Sequence, residues 1–312
     1  MTRAAPSGRW GLTPNLAGAL WMLASAVTFT FMTSLVKDLG HDYPAPLQAL
    51  YRQAVGFAVM SPLMIRYGRA AWRTTRPGTM FYRSASSAAG LILAFYSFGN
   101  LPLAEANALS FTRPLWVVPL AALVLHERLG WMRIGAVLVG FLGVLVMLGA
   151  ADIELRVGPA QVAALGSAAL LATSVIAIKN MTRDHGNLPL LTWAALLGLL
   201  MVMPAGVAAW RVPTLPDLGL LVAMGALGAL NQFLFVRGMQ VGDAAAMAPI
   251  DYTRLLFGAL AGFLLFREIP TVQTLAGAAI VIAATLFITL REHVLARRGL
   301  IREKPEENAP AP

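Results

Sequence analysis

Between residues 16 and 290 the chain is a succession of apolar runs, each about as long as a bilayer core is thick, separated by short connections rich in Gly, Pro and charge. A run of about 20 apolar residues in lipid has to satisfy its backbone internally, which makes it a helix. The runs cover 16–36, 47–65, 80–98, 105–125 and 132–148, then 160–178, 188–210, 218–236, 244–266 and 272–290. They predict an all-α membrane protein with ten transmembrane helices. Only 12% of the 312 residues are charged and 58% are hydrophobic, a balance that cannot cover a water-soluble surface.

The second constraint is an internal repeat. A forward shift of 142 positions lays Ser25 on Ser167, Lys37 on Lys179 and Pro62 on Pro204. Past the third run a shift of 141 lays Ala104 on Ala245, Arg113 on Arg254 and Glu127 on Glu268. Apolar helices match Leu and Ala by chance, but not Arg, Glu and Lys in order. Five helices per unit is odd, so the units are expected to enter the bilayer from opposite sides as an inverted repeat. The expected organisation is a cytoplasmic N-terminal segment (1–14), a first repeat (15–150), a second repeat (158–291) and a cytoplasmic C-terminal tail (292–312).

Charge orients the chain. With the N-terminus inside, the inner segments hold most of the basic residues, among them Arg66, Arg69, Arg73, Arg76, Arg128, Arg183 and Arg298. The outer segments hold only Lys37, Arg156, Arg211 and Arg267. This positive-inside bias puts both ends in the cytoplasm of a bacterial inner-membrane protein. Arg3 and Arg9 precede the first run as in a signal peptide, but the run continues without a cleavage site and is read as a retained helix. The net charge of +9 belongs to these connections and the tail, so no nucleic-acid partner is expected.

Charges inside apolar runs cost about 2.5–3.5 kcal/mol each at a helix centre and rarely face lipid. Here they are Arg52, Glu105, Arg113, Asp251 and Arg254. Asp251 and Arg254 stand three apart on one helix and can pair. Either they lock that helix to its neighbours, or Asp251 takes a substrate amine or a proton and Arg254 a carboxylate. Glu105 is a second candidate proton site. Asn107, Ser110, Phe111 and Pro114 share one helical face, and Pro114 and Pro119 can kink that helix. Trp116, Asn231 and Tyr252 are further candidates for a solute pocket, with Tyr51, Tyr96, Trp193 and Gln232 as weaker ones. Glu127 and Glu268 end their helices beside Arg128 and Arg267, where terminal pairing suffices to explain them, and Lys37 and Lys179 are expected to snorkel.

Without cysteine the chain has no thiol chemistry. Its four histidines are too scattered for a metal site, and HExxH, GxSxG and Walker motifs are missing. No metal, cofactor or catalytic residue is expected.

Pro114 thirteen residues before Glu127, the glycines Gly135, Gly140 and Gly143, and the second-half counterpart ending in Glu268 resemble the drug/metabolite transporter superfamily, in particular its EamA-type ten-helix members. The segment PLAEANALSFTRPLWV resembles metabolite uptake carriers of that group, including those for S-adenosylmethionine; related members move amino acids or riboflavin. His126 and Arg267 stand where the family often has Gly before the Glu. The resemblance implies a cavity between the halves, with the fifth and tenth helices peripheral, and secondary transport. The expectation is a carrier of a small polar organic metabolite by alternating access, working in the lipid bilayer as a monomer or homodimer. A membrane-embedded enzyme acting on lipid and a receptor or scaffold without flux are the alternatives.

Overall fold

Proline and hydroxyl residues start many of the helices. Pro14, Pro77 and Pro159 each open one, where the missing N–H has no intrahelical acceptor to lose. Thr214 caps another by accepting the Asp217 N–H at 3.3 Å, and Thr271 a third by accepting the Thr274 N–H at 3.1 Å. In the computed structural model the described residues are 14–68, 72–125, 131–148, 157–181, 187–241, 247 and 250–297. They form α1 (Pro14–Leu39), α2 (Ala45–Tyr67), α3 (Pro77–Asn100), α4 (Leu103–Ser110), α5 (Arg113–Leu125), α6 (Trp131–Met147), α7 (Pro159–Met181), α8 (Asn187–Ala208), α9 (Leu215–Val241), α10 (Thr253–Phe266) and α11 (Val272–Arg297). No strand occurs among these residues.

Among the described residues, five segments are long and apolar enough to cross a bilayer: Leu16–Leu39, Pro159–Ala177, Pro189–Ala208, Leu215–Val241 and Val272–Arg291. The other runs fall short for physical reasons. α2 carries Gln48, Arg52 and Gln53, and α3 carries Arg83, Ser84, Ser86 and Ser87. These polar groups turn largely inward: Gln48, Ser84 and Ser86 are buried, and Ser87 shares a 2.7 Å hydrogen bond with Ser174 of α7. The fourth run is not one helix as expected but two, α4 and α5, and the ninth is interrupted at the matching place.

The helix pairings respect the repeat. α1 packs along α9 and α7 along α3; α2 packs on α9 and α8 on α3. Exchanging the halves turns each of these pairings into the other. The exchange extends to single bonds: Ser25 Oγ on α1 reaches toward the Asn231 carbonyl at 3.4 Å, while Ser167 Oγ on α7 donates to the Gly90 carbonyl at 2.7 Å. Ser25 and Ser167 match in the repeat, and Gly90 and Asn231 lie 141 positions apart. α6 and α11 pack on each other through Gly143 and Gly277, where a Cβ on Gly143 would meet the Gly277 carbonyl oxygen at 2.9 Å. An apolar skin on α6, including Leu138, Leu142 and Leu145, is exposed, as expected of a peripheral, lipid-facing element.

Candidate functional site

The two interrupted helices meet. Pro114 lacks the N–H that would bond the Ser110 carbonyl, so the chain leaves the helix at Phe111 and Thr112 and resumes at Arg113. The Thr112 hydroxyl donates to the Leu109 carbonyl at 2.7 Å and stabilises the turn. In the second half the turn falls on Tyr252, which precedes α10. Phe111 and Tyr252 lie 141 positions apart and are therefore repeat equivalents. Their rings touch, with centroids 4.8 Å apart. Equivalent residues of two related units touch only where an axis relating the units passes, so the breaks sit at the centre of the bundle.

Beside this contact lies the charge cluster. Arg254 Nε stands 2.9 Å from Asp251 Oδ1. The same guanidinium donates through Nη2 to Ser25 Oγ at 3.0 Å, and Ser25 passes its own proton to Asn231 Oδ1 at 2.7 Å. Phe29 and Phe235 flank the guanidinium at 4.7 and 5.3 Å, a cation–π setting that favours a desolvated arginine. Arg113 stands exposed at the first break, close enough to Asp251 and Arg254 to feel both charges. Arg52 of α2 approaches α9 at Gly228, where a Cβ would meet its Nε at 3.0 Å. It donates a long hydrogen bond, 3.4 Å, to Gln53 Oε1.

The structure thus brings together Asp251, Arg254, Asn231, Arg113 and Tyr252, with Arg52 farther along the same helix pair. Ser110 bonds back to the Asn107 carbonyl at 2.7 Å at the end of α4. Asn107 is buried, donates to the Leu103 carbonyl at 2.8 Å, and packs on Gly258 of α10. Trp116 lies edge-on against Phe141 of α6, 5.0 Å between centroids. Glu105 accepts from Gln161 of α7 at 3.1 Å and is separate from Asp251. Of the weaker candidates, Tyr51 stacks on Trp210, Trp193 meets Trp72 edge to face, and Tyr96 and Gln232 are exposed.

Two expectations are corrected. Glu268 pairs with Lys37 of α1, not with Arg267, and Lys37 therefore turns inward instead of snorkelling. The same glutamate accepts the Leu103 N–H at 2.9 Å, and Lys37 donates to the Leu101 carbonyl at 2.6 Å. Arg267 instead holds a left-handed backbone (φ 56°) that ends α10. Glu127, Arg128 and the Lys179 side chain lie outside the described residues. Ser25, Phe29 and Phe235 were missed from the sequence; the match of Ser25 to Ser167 was the one signal that could have found the first.

The model of the EamA-like transporter family matches residues 16–149 and again 158–290. The chain belongs to the EamA-like transporter family. Among curated EamA-like relatives, the S-adenosylmethionine uptake transporter of Rickettsia prowazekii (strain Madrid E) is 30% identical over 281 residues, covering 90% of this chain and 95% of the relative. The riboflavin transporter of Rhizobium johnstonii (strain DSM 114642 / LMG 32736 / 3841) is 29% identical, covering 89% and 92%. The pseudopaline exporter CntI of Pseudomonas aeruginosa (strain UCBPP-PA14) is 28% identical, covering 88% and 96%. A solved crystal structure shares the fold with a TM-score of 0.58 at 21% identity, over 93% of this chain and 99% of that one. The chain is therefore an EamA-like, multi-pass membrane protein of a transporter family.

Proposed function

We propose that this chain is a ten-helix secondary carrier of the bacterial inner membrane, with both termini cytoplasmic. It moves a small polar organic metabolite by alternating access through the space between two inverted five-helix repeats, 15–150 and 158–291. The observation that carries the reading is the contact of Phe111 with Tyr252 at the two helix breaks, with Arg254 and Asp251 beside it. Broken helices at a repeat interface free backbone groups and bring charge to the midplane, which is where secondary transporters bind solute. Asp251, Arg254, Arg113, Arg52, Asn231 and Tyr252 form the binding surface, and Asn107, Ser110 and Trp116 shape the first-half break. Asp251 is the candidate proton acceptor at the centre, and Glu105 a second one in the first turn of α4.

The relatives named for S-adenosylmethionine, riboflavin and pseudopaline support a small-molecule solute and transport as the activity. The test is reconstitution into liposomes and flux of a panel of small metabolites that spans cationic, neutral and acidic members, S-adenosylmethionine and riboflavin among them. Flux that disappears in Asp251→Asn, with membrane insertion intact, is the expected result. Full flux in Asp251→Asn removes that residue from the mechanism, and turnover of a lipid without solute flux overturns the carrier reading.

A further inference from the structure

Among the described residues, the arginines on and beside the α1–α9 pair outnumber the carboxylates that pair with them. Arg254 has Asp251. Arg52 and Arg113 have no carboxylate within ion-pair distance among the described residues, and Arg52 Nε is buried without a hydrogen-bond partner. Nearby acids are committed elsewhere: Glu268 to Lys37 and Leu103, Glu105 to Gln161, Asp217 to Tyr43 and Thr214.

The unpaired charges address one space. Arg52 meets α9 at Gly228, which is also flanked by Met32 of α1. Arg254 meets the same two helices at Asn231, Ser25 and Phe29. Gly228 and Asn231 are three apart on α9, and Ser25, Phe29 and Met32 follow the three-to-four spacing of one face of α1. At a rise of 1.5 Å per residue the two guanidiniums are staggered by roughly 5–10 Å along the bundle. Arg113 lies near Arg254 at the break. Arg52, with its Nε buried and no counter-charge among the described residues, costs several kcal/mol in a low-dielectric bundle, and an acidic ligand arriving there removes that cost.

Resting on the carrier reading above, we propose that the transported solute is an acid. It brings at least one more negative than positive group, with acidic groups taken by Arg52 and by Arg113 at the break beside Arg254. A solute with a net positive charge does not fit the excess of cations.

The chain has no cysteine, so one introduced thiol reports the local potential without knowledge of the solute. In Ser110→Cys, the ratio of modification rates by the anionic methanethiosulfonate ethylsulfonate to the cationic ethyltrimethylammonium reagent is measured against a free thiol. The expected ratio favours the anion by about tenfold or more and falls severalfold on adding Arg113→Gln or, separately, Arg52→Gln. A ratio at or below that of the free thiol, or a thiol that neither reagent reaches, overturns the proposal. Flux is then compared within pairs of like shape: flavin mononucleotide against riboflavin, and S-adenosylhomocysteine against S-adenosylmethionine. The member with the less positive net charge should be favoured in each. Flux favouring S-adenosylmethionine sinks the acid assignment but leaves the carrier standing, whereas the anion-favouring thiol without flux of any solute sinks the carrier and leaves the positive potential.

Discussion

Glu268 offers the most quantitative test of the packing. Its carboxylate takes the Lys37 ammonium and the Leu103 N–H, while Lys37 also bonds the Leu101 carbonyl and lies 5.4 Å from the centroid of the Phe266 ring. One side chain therefore ties α1, the α3–α4 junction and the end of α10. The two side chains are only 11% and 18% exposed. Breaking a buried ion pair by deleting one member costs about 3–5 kcal/mol, and orphaning a buried N–H about 1–3 kcal/mol. Lys37 keeps its carbonyl and ring contacts, so Glu268→Ala should cost about 2–4 kcal/mol in all. Glu268→Gln retains an acceptor for Leu103 and should cost roughly half as much. Reversing the pair with Lys37→Glu and Glu268→Lys restores opposite charges, but the Leu103 N–H then lacks an acceptor and the Leu101 carbonyl a donor. Rescue should therefore be partial. Unfolding of the purified protein in detergent, run as a double-mutant cycle, measures each value. Complete rescue by the reversed pair, or a Glu268→Ala cost below about 0.5 kcal/mol, would refute the reasoning, since surface substitutions cost no more than that.

Other substitutions probe the remaining claims. A methyl group at Gly258 would stand 2.3 Å from Asn107 Nδ2, so Gly258→Ala should cost about 1–3 kcal/mol by overpacking, and Asn107→Ala should relieve part of it in unfolding measurements. Arg267 occupies a left-handed helix end, so Arg267→Gly should raise stability by about 0.5–1 kcal/mol in the same assay, because glycine adopts that backbone without a Cβ penalty. Asp251→Asn should end solute flux into liposomes, and Asp251→Asn with Arg254→Gln should unfold later than Asp251→Asn alone, because it also removes the guanidinium that lost its carboxylate.

The fold was legible because its signals are long-range in the sequence and coarse in kind: apolar run lengths, and an Arg fourteen residues before a Glu in both halves. The Asp251–Arg254 pair was legible too, since spacing along one helix fixes it. What lay hidden depends on which helices touch. Neighbouring residues made Arg267 the natural partner of Glu268, but a left-handed backbone at Arg267 turns that residue to ending the helix, and Lys37 arrives from more than two hundred positions away. The prolines announced a kink at the fourth run. They did not announce that the break would fall on Phe111 and press against its repeat equivalent Tyr252. In the sequence Ser25 stood only as a marker of the repeat, and its role depends on α9 and α10 bringing Asn231 and Arg254 to it.

The central claim is that two equivalent units lie in opposite orientations around the breaks, and repeat-equivalent connections test it most directly. Asp42, exposed in the turn between α1 and α2, and Asp184 lie 142 positions apart. Single cysteines at these two positions in the otherwise cysteine-free chain are treated on intact cells with a membrane-impermeant maleimide. The account predicts labelling at position 42 and protection of position 184 until the membrane is opened; equal labelling of both on intact cells would contradict it.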